Sequence, residues 1–122
     1  MRQILVIDDN PTQLKAREMV LRGAGFAVST ASTADAALAL VESFPPGQEF
    51  GLVVTDHVMP GGTGAEFVRA LRRKNPELPV IVISGLAEAE DEYSGMGVTF
   101  LQKPCAPPEL VRRVRDRLAG GS

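Results

Sequence analysis

The sequence predicts an α/β domain in which a five-stranded parallel sheet is covered by helices on both faces. Three observations carry this. Apolar runs at 3–7, 51–55, 79–83 and 98–101 proceed without polar alternation, as strands buried on both faces do. Between the runs, apolar residues recur at helical spacing and are bounded by Pro, Gly and capping side chains. Strands that alternate with helices require parallel pairing through right-handed crossovers.

The first strand, 3–7, contains Ile4-Leu5-Val6-Ile7 and closes on Asp8 and Asp9. A helix follows, because Asn10 is a good N-cap and Pro11 suits the first helical position. Lys15, Glu18 and Arg22 gather on one side of it, opposite Leu14, Val20, Leu21 and Ala24, and Gly23 and Gly25 bracket its end. A second strand at 26–31 leads to Thr33, which can cap a helix carrying Ala37, Leu40, Val41 and Phe44, and Pro45-Pro46-Gly47 stops it. The third strand, 51–55, leads straight to Asp56 and a Pro/Gly-rich turn. Thr63-Gly64-Ala65-Glu66 is a capping-box pattern opening a helix with Phe67, Val68 and Leu71 inward, closed by Asn75-Pro76. The fourth strand, 79–83, ends at Ser84, and the fifth, 98–101, is followed by Gln102 and Lys103. The segment 85–97 between them is acidic at Glu88, Glu90, Asp91 and Glu92 and leaves room only for a brief helix. The last helix starts near Pro107-Pro108-Glu109 and packs Leu110, Val111, Val114 and Leu118.

The 122 residues suit a single domain, 1–122, with its core over about 3–119. Apolar residues make up 44% and charged residues 23%, ordinary for a soluble globular protein. No apolar run is long enough to span a bilayer, and the chain enters a strand at once instead of a signal-peptide core, so the expectation is a cytoplasmic protein without membrane contact. The single cysteine, Cys105, cannot form an internal disulfide, which fits a reducing compartment. A net charge of -2 gives no reason to expect nucleic-acid binding by this domain. The clusters Arg69, Arg72, Arg73, Lys74 and Arg112, Arg113, Arg115, Arg117 each lie on a helix whose other side is apolar, and are read as solvated helix faces.

In parallel sheets of this kind ligands gather beyond the carboxyl ends of the strands. That rule brings Asp8, Asp9, Asp56, Ser84 and Lys103 together. Crowded carboxylates repel one another and push one pKa upward unless a cation sits among them. A hard divalent ion answers this, Mg²⁺ first and Mn²⁺ as a substitute, and the lack of a His or Cys cluster argues against zinc. His57 is the only histidine, and adjacent residues at a strand end tend to point apart, so it is placed away from the site. A carboxylate can itself be a nucleophile toward a phosphoryl group, whose peripheral oxygens then need neutralisation. The metal, the Lys103 ammonium and the Ser84 hydroxyl with nearby backbone N–H groups can supply it.

Asp8-Asp9, Asp56 with Met59-Pro60 and Gly64 after it, Ser84-Gly85 and Lys103-Pro104, in this order at strand ends, resemble the signature of the response-regulator receiver domain of two-component signalling. The resemblance covers about 3–119. It implies a flavodoxin-like, doubly wound sheet of order 2-1-3-4-5. It also implies that Asp56 is the phosphoacceptor, with Mg²⁺ held by Asp9, Asp56, the backbone carbonyl of Val58 and, largely through water, Asp8. Ser84 and Lys103 would grip the phosphoryl group, Lys103-Pro104 would be a cis peptide, and Ser84 with Phe100 would form the switch that alters the face made by the fourth helix, fifth strand and last helix. The donor would be a phosphohistidine on a sensor histidine kinase or histidine phosphotransfer domain. The chain would be no enzyme in the ordinary sense, catalysing only its own phosphorylation and dephosphorylation, as a monomer or weak dimer.

The segment from Ser84 to Lys103 is shorter than the family spacing, and the loss falls on the fourth helix, which is expected to be short or irregular. Cys105 stands where an aromatic is common, and Ala106 supplies no side-chain cap for the last helix. The wording Asp56-His57-Val58-Met59-Pro60-Gly61 with Phe100-Leu101-Gln102-Lys103-Pro104 is most similar to receivers of hybrid sensor histidine kinases, so the chain could be a receiver from such a kinase or a stand-alone relay of that lineage. Helix capping alone could account for Asp8 and Asp9, but it leaves Asp56 and Lys103 unexplained. The alternative function is a pseudo-receiver that binds a partner without being phosphorylated. A flavin carrier of the same fold class is disfavoured, because the acidic first loop suits no phosphate cradle.

Overall fold

The computed structural model describes residues 3–43, 50–59 and 62–120. Strand β1 is Gln3–Ile7, β2 Ala27–Ala31, β3 Phe50–Asp56, β4 Val80–Ser84 and β5 Val98–Gln102. The α-helices are α1 Pro11–Gly23, α2 Ala34–Ser43, α3 Gly64–Lys74 and α4 Pro107–Gly120, with a 3₁₀ helix over Ala87–Tyr93. A short antiparallel ribbon pairs Val58–Met59 with Gly62–Thr63. The main sheet has the order β2-β1-β3-β4-β5, every neighbour parallel, which is the predicted order.

The strands lie at the centre because both their faces are apolar, and the period of two divides them between two cores. Ile4 and Val6 of β1, Leu52 and Val54 of β3, and Ile81 and Ile83 of β4 face one side, where Leu21 of α1 and Leu110 and Val114 of α4 cover them. Leu5, Ile7, Val53, Val80 and Val82 face the other, under Ala37 of α2 and Phe67, Val68 and Leu71 of α3. The helix starts follow their caps. Asn10 accepts from the N–H groups of Thr12 and Gln13, Thr33 from that of Ala36, and Thr63 with Glu66 closes a full capping box.

Boundaries move where a backbone group has other work. Pro79 precedes β4 because it has no N–H for the ladder, yet its carbonyl still accepts from Val53. Phe26 stays outside β2, since its N–H returns to Leu21 O at the end of α1. The helix predicted to be brief is the seven-residue 3₁₀ stretch. The expected stop at Pro45-Pro46-Gly47, and Phe44 before it, fall outside the described residues, as do Pro60 and Gly61 of the turn. Among the described residues, no helix is long and apolar enough to cross a membrane.

The reading of the α3 basic cluster as a solvated face is corrected at Arg72. Its guanidinium donates to the carbonyls of Met96 at 2.8 Å, Leu78 at 2.6 Å and Asn75 at 3.3 Å, tying the end of α3 to the turn before β5. Arginine's planar fork of donors suits three orphan carbonyls at once. In the second cluster, Arg115 and Arg117 also reach backbone carbonyls, those of Ala24 and Gly97, while Arg112 and Arg113 pair with Glu109 on the exposed side of α4.

Candidate functional site

All five main strands run the same way, so their carboxyl ends share one edge of the sheet. β1 delivers Asp8 and Asp9, β3 ends in Asp56, β4 ends in Ser84, and Lys103 follows β5. The pairing of Ile7 with Thr55 sets Asp8 beside Asp56 across neighbouring strands. One carboxylate oxygen from each of Asp8, Asp9 and Asp56 lies within 4.8 Å of the others. Asp8 and Asp56 are buried, and Asp9 is exposed at the mouth. A set of hard oxygen donors this close fits a hard divalent cation that keeps some of its own water.

Asp8 is fully buried and doubly held. The Asn10 N–H donates to Oδ1 at 2.9 Å, and Arg17 Nη1 donates to Oδ2 at 2.9 Å. Its pKa is nevertheless raised above the ordinary 3.8, chiefly by burial, with the Asp56 charge adding to it and Asn10, Arg17 and Lys103 opposing. Repulsion between the acids thus ranks below burial as the cause. The folded state holds this proton more tightly than the unfolded chain, so stability contributed at Asp8 is present at low pH and lost as pH rises from about the ordinary value through the folded one. Asp8→Asn, neutral throughout, is therefore expected to raise Tm at neutral pH in divalent-free buffer. The gain should shrink on acidification below the ordinary carboxyl range and reverse in saturating Mg²⁺. Calorimetry under the three conditions checks it, and a lower Tm in the mutant at neutral pH without metal would contradict it.

Both oxygens of Asp56 are oriented. The His57 N–H donates to Oδ1 at 2.8 Å, and Lys103 Nζ donates to Oδ2 at 3.2 Å. Lys103 also donates to Gln13 Oε1 at 3.3 Å, while its own N–H donates to Ser84 O at 2.7 Å. The Lys103-Pro104 peptide is cis, as the resemblance implies. Ser84 is buried, and its Oγ accepts the Leu86 N–H at 3.0 Å. Val58 lies in the short ribbon beyond Asp56, its strand paired with Thr63. Phe100, part-way along β5, sits away from the acids and packs with the α2/α3-side core, its ring centroid 6.0 Å from that of Tyr93.

Several contributors escaped the sequence reading. Gln13 and Arg17 are one turn apart on α1 and reach Lys103 and Asp8, a face the periodicity of the outer charges did not mark. His57 does turn away from the acids, but into a polar cluster: its Nδ1 lies 2.7 Å from the Tyr93 hydroxyl and its Nε2 3.3 Å from Glu92. Burial, then the charges of Glu92 and Asp56, push the Tyr93 phenol well above its ordinary pKa, against a smaller opposing effect of Arg69, so it stays protonated. Cys105 is a partly buried thiol whose pKa is pushed up, chiefly by burial.

The sequence model of the response regulator receiver domain matches residues 4–115. The chain is 34% identical over 122 residues to the DNA-binding response regulator MtrA of Mycolicibacterium smegmatis, covering 97% of this chain and 51% of that protein. It is 35% identical over 117 residues to the hydrogenase transcriptional regulatory protein HoxA of Cupriavidus necator, covering 93% of this chain and 23% of that one. The chain therefore spans about half the length, or less, of these curated relatives. Among solved structures, it superposes on a CheY-like response regulator receiver domain protein from Methanospirillum hungatei with a TM-score of 0.89 at 25% identity, covering 98% of this chain and 95% of the other. The chemotaxis response regulator CheY4 of Vibrio cholerae gives 0.84 at 27% identity, covering 96% and 98%.

Proposed function

Because the chain belongs to the response-regulator receiver family, we propose that it accepts a phosphoryl group from a phosphohistidine onto Asp56 as a step of a two-component phosphorelay. The observation that carries this reading is one constellation: three carboxylates within 4.8 Å of one another, with the Lys103 ammonium on the oxygen Asp56 Oδ2.

In the proposed step an Asp56 carboxylate oxygen forms the new O–P bond while the N–P bond of the donor breaks, and the departing imidazole nitrogen keeps the electron pair and takes a proton from solvent. Asp56 enters the step with the orientation of its carboxylate fixed from two sides, by the His57 N–H and by Lys103. Lys103 neutralises a peripheral phosphoryl oxygen, and Ser84 offers its hydroxyl proton to another. Asp8, Asp9, Asp56 and the Val58 carbonyl would hold Mg²⁺, or Mn²⁺ in its place. Bound there, such an ion supplies positive charge to the phosphoryl oxygens and relieves the repulsion among the acids. A cavity of about 490 Å³ beside Lys103, with Ala16, Val20, Pro104 and Leu110 in its wall, gives a protein donor an apolar seat next to the site. The donor would be a sensor histidine kinase or phosphotransfer protein. Membership of a hybrid kinase is proposed from the residues around Asp56 and Lys103, whereas the curated relatives named above are a DNA-binding response regulator and a hydrogenase transcriptional regulatory protein.

The test is uptake of one phosphoryl group from a small donor such as acetyl phosphate, stopped by chelating divalent ions. Uptake that survives chelation would contradict the metal part of the reading. No uptake from either a small donor or a phosphohistidine protein would favour the pseudo-receiver.

A further inference from the structure

The end of the 3₁₀ helix is fastened to the residue that follows Asp56. The His57 side chain is almost wholly buried, with Nδ1 2.7 Å from the Tyr93 hydroxyl and Nε2 3.3 Å from Glu92 Oε2. A carboxylate can only accept, so Glu92 favours the ring proton on Nε2 and leaves Nδ1 to accept the Tyr93 O–H. The His57 main-chain N–H meanwhile donates to Asp56 Oδ1. One residue therefore touches the acceptor carboxylate with its backbone and the 3₁₀ helix with its ring. The start of the same helix is held separately, by the Leu86 N–H on Ser84 Oγ. Tyr93 stands edge-on to His57, with ring centroids 5.6 Å apart at 70°, and its ring also lies 6.0 Å, centroid to centroid, from that of Phe100.

We propose that His57 is a positioning residue that transmits the state of Asp56, acting as the fixed end about which the 3₁₀ helix turns when Ser84 releases Leu86. The proposal rests on the reading of Asp56 as the phosphoacceptor. A phosphoryl group on Asp56 moves negative charge outward to its own oxygens, and a Ser84 hydroxyl that reaches for them turns away from the Leu86 N–H. The attachment at the start of the helix is lost. The attachment at its end is made by a buried ring pointing away from the acids, and it persists. Release at one end with retention at the other converts loosening into a rotation that shifts Tyr93 against Phe100. Without the His57 ring both ends are loose, and the Tyr93 hydroxyl is left buried without its partner.

Tyr93 is the only tyrosine and the chain has no tryptophan, so intrinsic fluorescence reports on Tyr93 alone. In the wild type, acetyl phosphate with Mg²⁺ is expected to shift that fluorescence and to speed amide exchange at 86–89 by roughly tenfold, leaving 92–96 unchanged. In the fraction of His57→Leu that carries label, as in the unlabelled protein, exchange should be rapid across 86–96, and no fluorescence shift should separate the two states. His57→Asn, whose Oδ1 stands in for Nδ1, should restore the response. Tyr93→Phe, followed by exchange alone, should reproduce the loss. A wild-type response in His57→Leu overturns the proposal, as does failure of His57→Asn to restore it, or a labelled wild type whose Tyr93 signal does not move. A wild type that takes up no phosphoryl group at all is a different result, and overturns the phosphoacceptor reading on which this one depends.

Discussion

With Lys103 replaced by methionine, phosphoryl uptake is expected to slow by roughly two to three orders of magnitude, the usual effect of removing one preorganised donor from a developing anion. Methionine keeps a stem of similar length and removes the charge, together with the bonds from Nζ to Asp56 and Gln13. Binding of Mg²⁺ should move the other way. The ammonium 3.2 Å from Asp56 Oδ2 opposes any cation brought to the three acids, and Lys103 is only partly exposed, so solvent screens this opposition incompletely. Its loss should tighten Mg²⁺ binding by roughly three- to tenfold. Calorimetric titration beside a labelling time course reads both quantities. A mutant in which rate and metal affinity fall together would show that Lys103 organises the site as a whole instead of neutralising charge in the reaction.

Gly64→Ala is the second change expected to have a large effect, and here two effects oppose. Alanine in place of glycine ordinarily favours a helix by about 1 kcal/mol, less at a first helical position such as this one. A Cβ at Gly64, however, would stand 2.6 Å from Asp56 O, 2.5 Å from the Tyr93 hydroxyl and 3.1 Å from His57 Cα. Two of these atoms are backbone and cannot swing away. The Gly64 N–H also donates to His57 O at 2.6 Å, so the helix start cannot withdraw without breaking that bond. Overpacking dominates, at about 3 kcal/mol, and Tm should fall on the order of 10 °C. The same displacement should disturb the Tyr93 contact with His57 and slow uptake at Asp56. An unchanged Tm would mean that the turn between β3 and α3 relaxes freely.

The fold was legible because its signals are local. Unalternating runs mark strands buried on both faces, and Asn10, Thr33 and Thr63 mark helix starts by hydrogen bonds that span only two or three residues. The acids, Ser84 and Lys103 were legible because a topological rule sends every strand end to one edge. Long-range partners carry no such signal. Arg17 holds Asp8 from nine residues on, Gln13 meets Lys103 across 90 positions, and Tyr93 meets His57 across 36. Only the spacing of Gln13 and Arg17 on α1, one turn apart on the side facing the strand ends, could have drawn attention to them. Arg72 was misread for a related reason: a charge near a helix end looks solvated in sequence, and only the packed fold shows the carbonyls of Asn75 and Leu78 after α3 and of Met96 before β5 gathered around it.

Phosphorylation of Asp56 is tested most directly by mass spectrometry of the intact protein after incubation with Mg²⁺ and acetyl phosphate, run beside Asp56→Asn and followed by mapping of the modified residue. The expected result is one added phosphoryl group, located at Asp56, absent from Asp56→Asn and absent when divalent ions are chelated. An adduct on another residue, or one that persists in Asp56→Asn, would contradict it.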